Sequence, residues 1–139
     1  MNNQRKKGVL LVQLGTPNAP STPEVRRYLT EFLMDGRVMD IPALGRNLLV
    51  KGVIVPKRAA QSAETYATIW DEVNGSPLMY YSVLQQKMLQ EQLGEEYHVE
   101  LAMRYQNPSI ESALKKMENM FLESIKVIPL FPQYASATS

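Results

Sequence analysis

Two short groups of residues carry side chains suited to binding a flat, anionic ligand. Arg104 and Tyr105 adjoin at the end of a predicted strand, where the guanidinium could pair with a carboxylate while the ring stacks on a flat ligand. The alternative is an arginine paired locally beside a core tyrosine. Ser76, in a Gly-Ser-Pro tripeptide, could donate its hydroxyl or a backbone N–H to an anion, although such a tripeptide is also an ordinary turn.

A basic pair and a single histidine are weaker candidates. Lys57 and Arg58 would suit a carboxylate-bearing ligand, or they are simply the solvated start of a helix. His98 is the sole histidine and lies within a predicted strand, where a half-exposed strand residue is a better interpretation than a base or a metal ligand. The sequence contains no GxGxxG or P-loop motif, no Ser-His-Asp arrangement and no paired carboxylates.

The stretch GVLLVQLGTP, residues 8–17, is the element that must position these side chains. Its apolar run predicts a strand buried on both faces, and Gly15 and Pro17 end that strand in a tight turn. A buried strand followed by a helical pattern is typical of a βα unit. Ligands bind outside the carboxyl ends of such strands, so we expect the working end of the molecule at 13–18.

The remaining pattern predicts an α/β fold with a parallel sheet. Helices are predicted over 23–34, 57–72, 78–93 and 109–120, and further strands over 97–105 and 124–130. In the last helix, Ile110, Ala113, Leu114 and Met117 are expected to face inward. Right-handed crossovers would bring 13–17, 104–107 and 131–138 to one edge of the sheet.

Residues 37–56 form an unusually apolar segment interrupted by charges, prolines and glycines. One interpretation is that this segment packs against the rest of the domain. The other is that it forms an apolar lip over a pocket or against a membrane surface.

Composition favours a single ordinary globular domain in the cytoplasm. The chain has 139 residues, 45% of them apolar, a net charge of +1 and no cysteine. These values give no support to a nucleic-acid partner and exclude disulfides and thiolate metal sites. No secretory signal or membrane-spanning stretch is apparent. Because the chain stops directly after the third predicted strand, we expect it to be a fragment.

Five segments, in this order and at these spacings, resemble the N-terminal half of ferrochelatase: KGVLLVQLGTPNAP, VRRYLTEFLMDGRVMDIP, YATIWDEVNGSPLMYYS, LAMRYQNPSIESAL and VIPLFPQYASATS. The resemblance covers nearly the whole chain. It implies one of two Rossmann-like halves, each a parallel sheet flanked by helices, with a porphyrin cleft between them. It also implies insertion of Fe(II) into protoporphyrin IX, the last step of haem synthesis.

The resemblance assigns a set of porphyrin-side positions. Leu14 falls where the family places a side chain against the porphyrin face, and a leucine there cannot coordinate a metal. The other matched positions are Arg58, Ser76, Arg104, Tyr105, Gln133, Tyr134 and Ser136. Segment 37–56 corresponds to the lip over the cleft, which favours its functional interpretation and makes peripheral membrane contact an expectation.

The residues that perform the family's chemistry belong to the C-terminal half. Its catalytic histidine and acidic partner lie there, and His98 does not match that motif. We therefore expect no catalytic and no metal-binding residue in this chain, and no activity from it alone. Porphyrin type, oligomeric state and any iron–sulfur cluster of a C-terminal half remain open.

Two other functions stay open from the sequence. A sirohydrochlorin-type chelatase would share the fold, but an early metal-binding histidine is expected there and Gln13 and Leu14 offer none. A non-catalytic porphyrin- or haem-binding module is the alternative from another class.

Overall fold

Three parallel strands form the sheet of this protein, in a computed structural model that describes residues 5–131. The strands are β1 (Lys7–Gly15), β2 (Tyr97–Tyr105) and β3 (Ile125–Pro129), in the spatial order β2-β1-β3. Gly15 pairs with Tyr105, and Val12 pairs with Pro129, so the carboxyl ends of all three strands lie at one edge. The predicted α/β fold is confirmed, and so is the predicted meeting of the ends of the first two strands, at Gly15 and Tyr105. Of the third stretch predicted at this edge, 131–138, all but residue 131 lies outside the described residues.

The described residues divide into two compact units. The first contains residues 5–15 and 80–131, and the second contains residues 16–79. The first unit therefore holds the whole sheet, and the second holds the helices of the long connection that follows β1.

The core of the first unit lies between the sheet and one helix. Leu10 and Val12 of β1 pack with Ala113 and Met117 of α5 (Ile110–Glu118), and all four are buried. Ser109 caps this helix by accepting a hydrogen bond from the backbone N–H of Ser112 at 3.1 Å. The expectation for Leu114 is wrong: its side chain is largely exposed, because the buried face of the helix is the one that holds Ala113 and Met117.

Helix α4 (Pro77–Leu93) closes the outer edge of β2 with side-chain amides. The Gln90 amide donates to the carbonyl of Tyr97 at 2.9 Å and accepts from the backbone N–H of Val99 at 2.8 Å. Gln86 donates to the carbonyl of Val99 at 2.9 Å. In a parallel sheet, a residue opposite His98 on a further strand would donate to the Tyr97 carbonyl and accept from the Val99 N–H. Gln90 makes these same two bonds and thus substitutes for one residue of a further strand.

Strand β3 at the other edge is exposed along its whole length. Val127 is 59% exposed, and Ile125 and Ile128 are also largely open to solvent. The strands of the sheet thus differ: Val9, Leu10, Leu11 and Val12 of β1 are buried, as the sequence predicted, whereas the apolar residues of β3 are not.

The second unit consists of helices and includes the apolar segment 37–56. Its elements are α1 (Thr22–Met34), α2 (Ala43–Leu49), a π-helical turn (Val50–Ile54) and α3 (Val55–Ile69). Val50, Val55 and Ala59 form a buried cluster, against which Leu29 and Leu33 of α1 pack. This part of the apolar segment packs against the rest of its unit.

The other face of the apolar segment is open. Leu44 and Leu48, one helical turn apart on α2, are 77% and 68% exposed. Arg46 on the same helix donates to the carbonyls of Met39 at 3.3 Å and Ile41 at 3.2 Å, which holds the preceding loop against α2. The packing interpretation is thus confirmed for one face of the segment, and the interpretation as an apolar lip stays a prediction for the exposed face. Among the described residues, no helix is long and apolar enough to cross a bilayer.

Candidate functional site

Strand β1 ends in a backbone conformation that requires glycine. Gly15 has a φ of +125°, and a Cβ there would collide with the carbonyl oxygen of Tyr105 on the neighbouring strand. Leu14, just before it, is half-buried, and its backbone N–H donates to the Gln13 side-chain oxygen at 3.0 Å. The close approach of β1 to β2 fixes Leu14 at the carboxyl edge of the sheet.

Strand β2 ends beside it with a stacked arginine. The guanidinium carbon of Arg104 lies 5.2 Å from the centre of the Tyr105 ring. Tyr105 is only 2% exposed, so within this unit its ring serves as a support for Arg104. The next residue, Gln106, is buried and has a φ of +67°, an uncommon conformation outside glycine that concentrates at functional sites. Sequence reasoning included Gln106 only within a range, because no residue type signals this conformation.

Ser76 in the second unit is held by a buried hydroxyl pair. Its Oγ lies 2.8 Å from the Oγ1 of Thr16, and the two residues are 7% and 5% exposed. Ser76 also precedes α4, and its Oγ lies 3.5 Å from the backbone N–H of Met79, in the position of a helix cap with Pro77 as the first helical residue. Thr16 was not singled out from the sequence, because it lies 60 positions from its partner.

The loop between α3 and α4, residues 70–76, sets the position of Ser76. The backbone groups of Asp71 and Gly75 bond each other in both directions at 2.9 Å. The Asp71 carboxylate accepts from the backbone N–H of Asn74 at 2.6 Å and of Val73 at 2.9 Å. These two hydrogen bonds lower the pKa of Asp71 below its ordinary value of 3.8, because they stabilise the ionised form.

The structure groups some predicted site residues and leaves others apart. Leu14, Arg104 and Tyr105 lie together at the carboxyl edge of the sheet in the first unit. Ser76 lies in the second unit with Thr16, and Arg58 lies exposed on α3 of that unit, where it forms no ion pair with any residue between 5 and 131. Gln133, Tyr134 and Ser136 lie outside the described residues.

The histidine is engaged within its own strand. His98 Nε2 lies 3.0 Å from a carboxylate oxygen of Glu100, whose other oxygen lies 3.4 Å from Lys116 Nζ on α5. In the part of the chain that the structure describes, no three His, Cys, Asp or Glu side chains come together as a group able to hold a metal ion.

Comparison with known families identifies the family of this chain. The family model described as ferrochelatase matches residues 6–139. The chain belongs to the ferrochelatase family. Its three-stranded parallel sheet with flanking helices is consistent with the Rossmann-like domain of that family, and the resemblance seen in the sequence motifs is confirmed.

Several curated proteins named ferrochelatase are similar to this chain. The ferrochelatase of Coxiella burnetii (strain RSA 493 / Nine Mile phase I) is 47% identical over 139 residues, which are 100% of this chain and 39% of that protein. Ferrochelatase of Chromobacterium violaceum is 47% identical over 96% of this chain and 38% of its own length. Ferrochelatase 2 of Shewanella oneidensis is 47% identical over 96% of this chain and 42% of its own length. The chain thus spans about two fifths of the length of these relatives.

Proposed function

We propose that this chain is the N-terminal portion of a ferrochelatase, a metal chelatase that inserts Fe(II) into protoporphyrin IX and releases two protons. Residues 1–139 then form an incomplete chelatase domain that binds the porphyrin and is inactive alone. The observation that carries the proposal is the register of β1 on β2, which places Leu14 and Arg104 at the same edge of the sheet. Family membership supplies the reaction class.

The chemistry of these residues suits a porphyrin. Leu14 offers an apolar side chain to the flat face of the macrocycle, and the Arg104 guanidinium offers a fork of donors to a carboxylate. Ser76 and Arg58 supply a hydroxyl and a second positive charge. Gln133, Tyr134 and Ser136 are proposed as further porphyrin-side residues on the strength of their match to the family motif.

The proton chemistry and iron delivery are assigned to residues outside this chain. Metallation needs a base to take the two pyrrole protons and ligands to bring the iron. Since His98 is bonded to Glu100 within β2, it is not proposed for either role.

A metallation assay tests the reaction. Ferrous iron or zinc and protoporphyrin IX are given to this chain and to the product of the full reading frame, and the Soret band of the metalloporphyrin is followed. Metallation by the longer protein alone is expected. Activity of this chain would overturn the claim of inactivity, metallation of sirohydrochlorin alone would favour that class of chelatase, and porphyrin binding without metallation would favour a non-catalytic module.

A binding titration tests the role of the sheet edge. Replacing Arg104 with Ala in the full-length protein is expected to raise the Kd for protoporphyrin IX about tenfold or more, since a charge-assisted hydrogen bond contributes about 1.5–3 kcal/mol. Arg26→Ala, on the exposed surface of α1, is the matched control and should leave the Kd unchanged. Equal affinities for the two variants would contradict the assignment of Arg104.

The exposed face of α2 supports a second function, peripheral contact with a membrane. Leu44 and Leu48 form an apolar stripe, and the exposed Lys51 and Lys57 lie nearby in the chain, a combination that suits a lipid surface with anionic headgroups. Co-sedimentation with anionic vesicles tests it. Leu44→Gln with Leu48→Gln should abolish binding and Leu114→Gln on α5 should not. Failure of the unmodified full-length protein to sediment would remove this function.

A further inference from the structure

The buried pair formed by Thr16 and Ser76 contains one hydroxyl hydrogen more than it uses. Each hydroxyl carries one hydrogen, and the bond of 2.8 Å between the two oxygens uses one of them. The backbone N–H of Met79 is a donor to Ser76 and accepts nothing. Whichever residue donates within the pair, the other therefore keeps a hydrogen with no acceptor among the described residues.

Burial makes this leftover donor significant. Thr16 is 95% and Ser76 93% withdrawn from solvent, as their exposed fractions of 5% and 7% imply. Buried polar groups are nearly always hydrogen-bonded, so a donor of this kind calls for an acceptor supplied from elsewhere.

The surroundings favour an acceptor with negative charge. The pair lies at the start of the 17-residue helix α4, whose backbone dipole favours an anion at this end. The first turn of α4 contains no acidic residue that would compete for the position. A carboxylate accepts hydrogen bonds and donates none, which matches a pair with one hydrogen to give.

We propose that Thr16 is a ligand-binding residue that acts jointly with Ser76, the pair presenting a single O–H to a carboxylate of the bound tetrapyrrole. This inference depends on the proposed function for the identity of the ligand. It adds to that function a second hydroxyl and a shared donor: either residue can deliver the hydrogen, because the direction of the bond between them can reverse.

The loop that carries Ser76 keeps the two oxygens at bonding distance. Asp71 closes that loop through its carboxylate and through its paired backbone bonds with Gly75. Asp71 is thus a positioning residue for the hydroxyl pair, whereas Thr16 and Ser76 contact the ligand.

The test compares two porphyrins on four variants of the full-length protein. Thr16→Val removes one hydroxyl and keeps the shape, Ser76→Ala removes the other hydroxyl, Thr16→Ser keeps the hydroxyl, and Thr16→Val is also combined with Ser76→Ala. Protoporphyrin IX and its dimethyl ester, which lacks free carboxylates, are titrated in the same detergent buffer. Circular dichroism and thermal unfolding establish that each variant is folded, and Thr16→Ala replaces Thr16→Val if the latter is not.

The double variant is expected to raise the Kd of the diacid about tenfold, the size of effect that one charge-assisted hydrogen bond gives, and to leave the Kd of the ester unchanged. Thr16→Ser should bind the diacid as the unmodified protein does. Because either hydroxyl can deliver the hydrogen, Thr16→Val alone and Ser76→Ala alone should each lose less than the double variant.

The other outcomes distinguish failure of this inference from failure of the proposed function. Equal losses for diacid and ester, an unaffected diacid Kd in the double variant, or a loss in either single variant as large as that of the double variant would overturn the inference while the proposed function stands. If the unmodified full-length protein binds neither porphyrin, the proposed function fails and this inference fails with it.

Discussion

The two outer edges of the sheet are finished in different ways. At β2, the amides of Gln86 and Gln90 bond the backbone groups that face away from β1. At β3, no described side chain bonds the backbone groups that face away from β1, and apolar side chains such as Val127 stay exposed. The first part of the β2 edge, at Tyr97 and Val99, is therefore bonded by side chains of α4, whereas the residues of β3 are exposed.

This contrast indicates the direction in which the sheet can grow. An unprotected strand edge is a template for further pairing, whereas an edge whose N–H and C=O groups are already bonded is not. If this chain is an incomplete chelatase domain, as proposed, the additional contacts of the longer protein are expected at β3 and not at β2.

Loss of Gln90 should have the largest effect on this arrangement. Gln90→Leu leaves the buried Val99 N–H without an acceptor and removes bonds to Tyr97 and Gly94. The free energy of unfolding should fall by about 2–3 kcal/mol, because an unpaired buried backbone group costs about 1–3 kcal/mol. Urea denaturation measures the loss, and hydrogen exchange should accelerate at Val99. Gln92→Leu, exposed on the same helix, is the control; an equal loss there would show that helix propensity, not the edge, is responsible.

Loss of Gln86 should have a smaller effect of the same kind. Gln86→Leu removes one hydrogen bond, to the Val99 carbonyl, whereas Gln90→Leu removes the bonds to Gly94, Tyr97 and Val99. A decrease of about 0.5–1.5 kcal/mol in the free energy of unfolding is expected. A loss as large as that of Gln90→Leu would contradict the view that Gln90 alone substitutes for a strand residue.

Substitutions in strand β3 should have almost no effect on the free energy of unfolding of this chain. Val127→Thr keeps the branched shape of a side chain that is already 59% exposed, so its effect should stay within about 0.5 kcal/mol. In the product of the full reading frame, the same substitution should cost about 1 kcal/mol more if β3 becomes covered. Equal values in the two proteins would show that the exposed edge is not a growth point.

Lowering the pH should change the stability contribution of Asp71, which closes the loop before α4, but not that of Gln90 at the edge of β2. Glutamine does not titrate, so the effect of Gln90→Leu should be the same at pH 7 and pH 4. The pKa of Asp71 lies below its unfolded value of 3.8, so its contribution is complete above 3.8 and is lost as the pH falls through the lower, folded pKa. The stability difference between Asp71→Asn and the unmodified chain should therefore shrink only below pH 3.8. Shrinkage between pH 7 and pH 5 would assign the effect to another group.

The sequence predicted elements that carry strong periodic patterns. The strand over 97–105 matches β2, and the helix over 23–34 matches α1 within one residue. Segment 37–56 could not be divided in advance, because prolines and glycines interrupt a pattern that nevertheless becomes helix α2, a π-helical turn and the start of α3. Leu114 was misplaced because a nine-residue helix buries only a narrow face.

The candidate site was predicted at the strand ends and missed where distant residues meet. Arg104 and the range 13–18 follow from topology, since parallel strands end at the same edge, whereas Leu14 was singled out through the family resemblance. The hydroxyl pair joins residues 60 positions apart, and the glutamine bonds to β2 depend on the turn between α4 and β2. Neither is encoded in a local pattern, because both arise from packing. The burial of Tyr105 likewise depends on tertiary contacts that its neighbours in sequence do not reveal.

The loop before α4 also gives this chain an internal optical probe. Trp70 is the chain's sole tryptophan, and its indole nitrogen lies about 3.8 Å from where a Gly75 side chain would begin, directly under the turn that Asp71 closes. Any loosening of that turn changes the solvent around a single emitter, so the wavelength of its fluorescence reports the order of the loop without a label. A tetrapyrrole bound near Ser76 would also absorb at the wavelength that the indole emits, and the same residue would then measure occupancy by energy transfer.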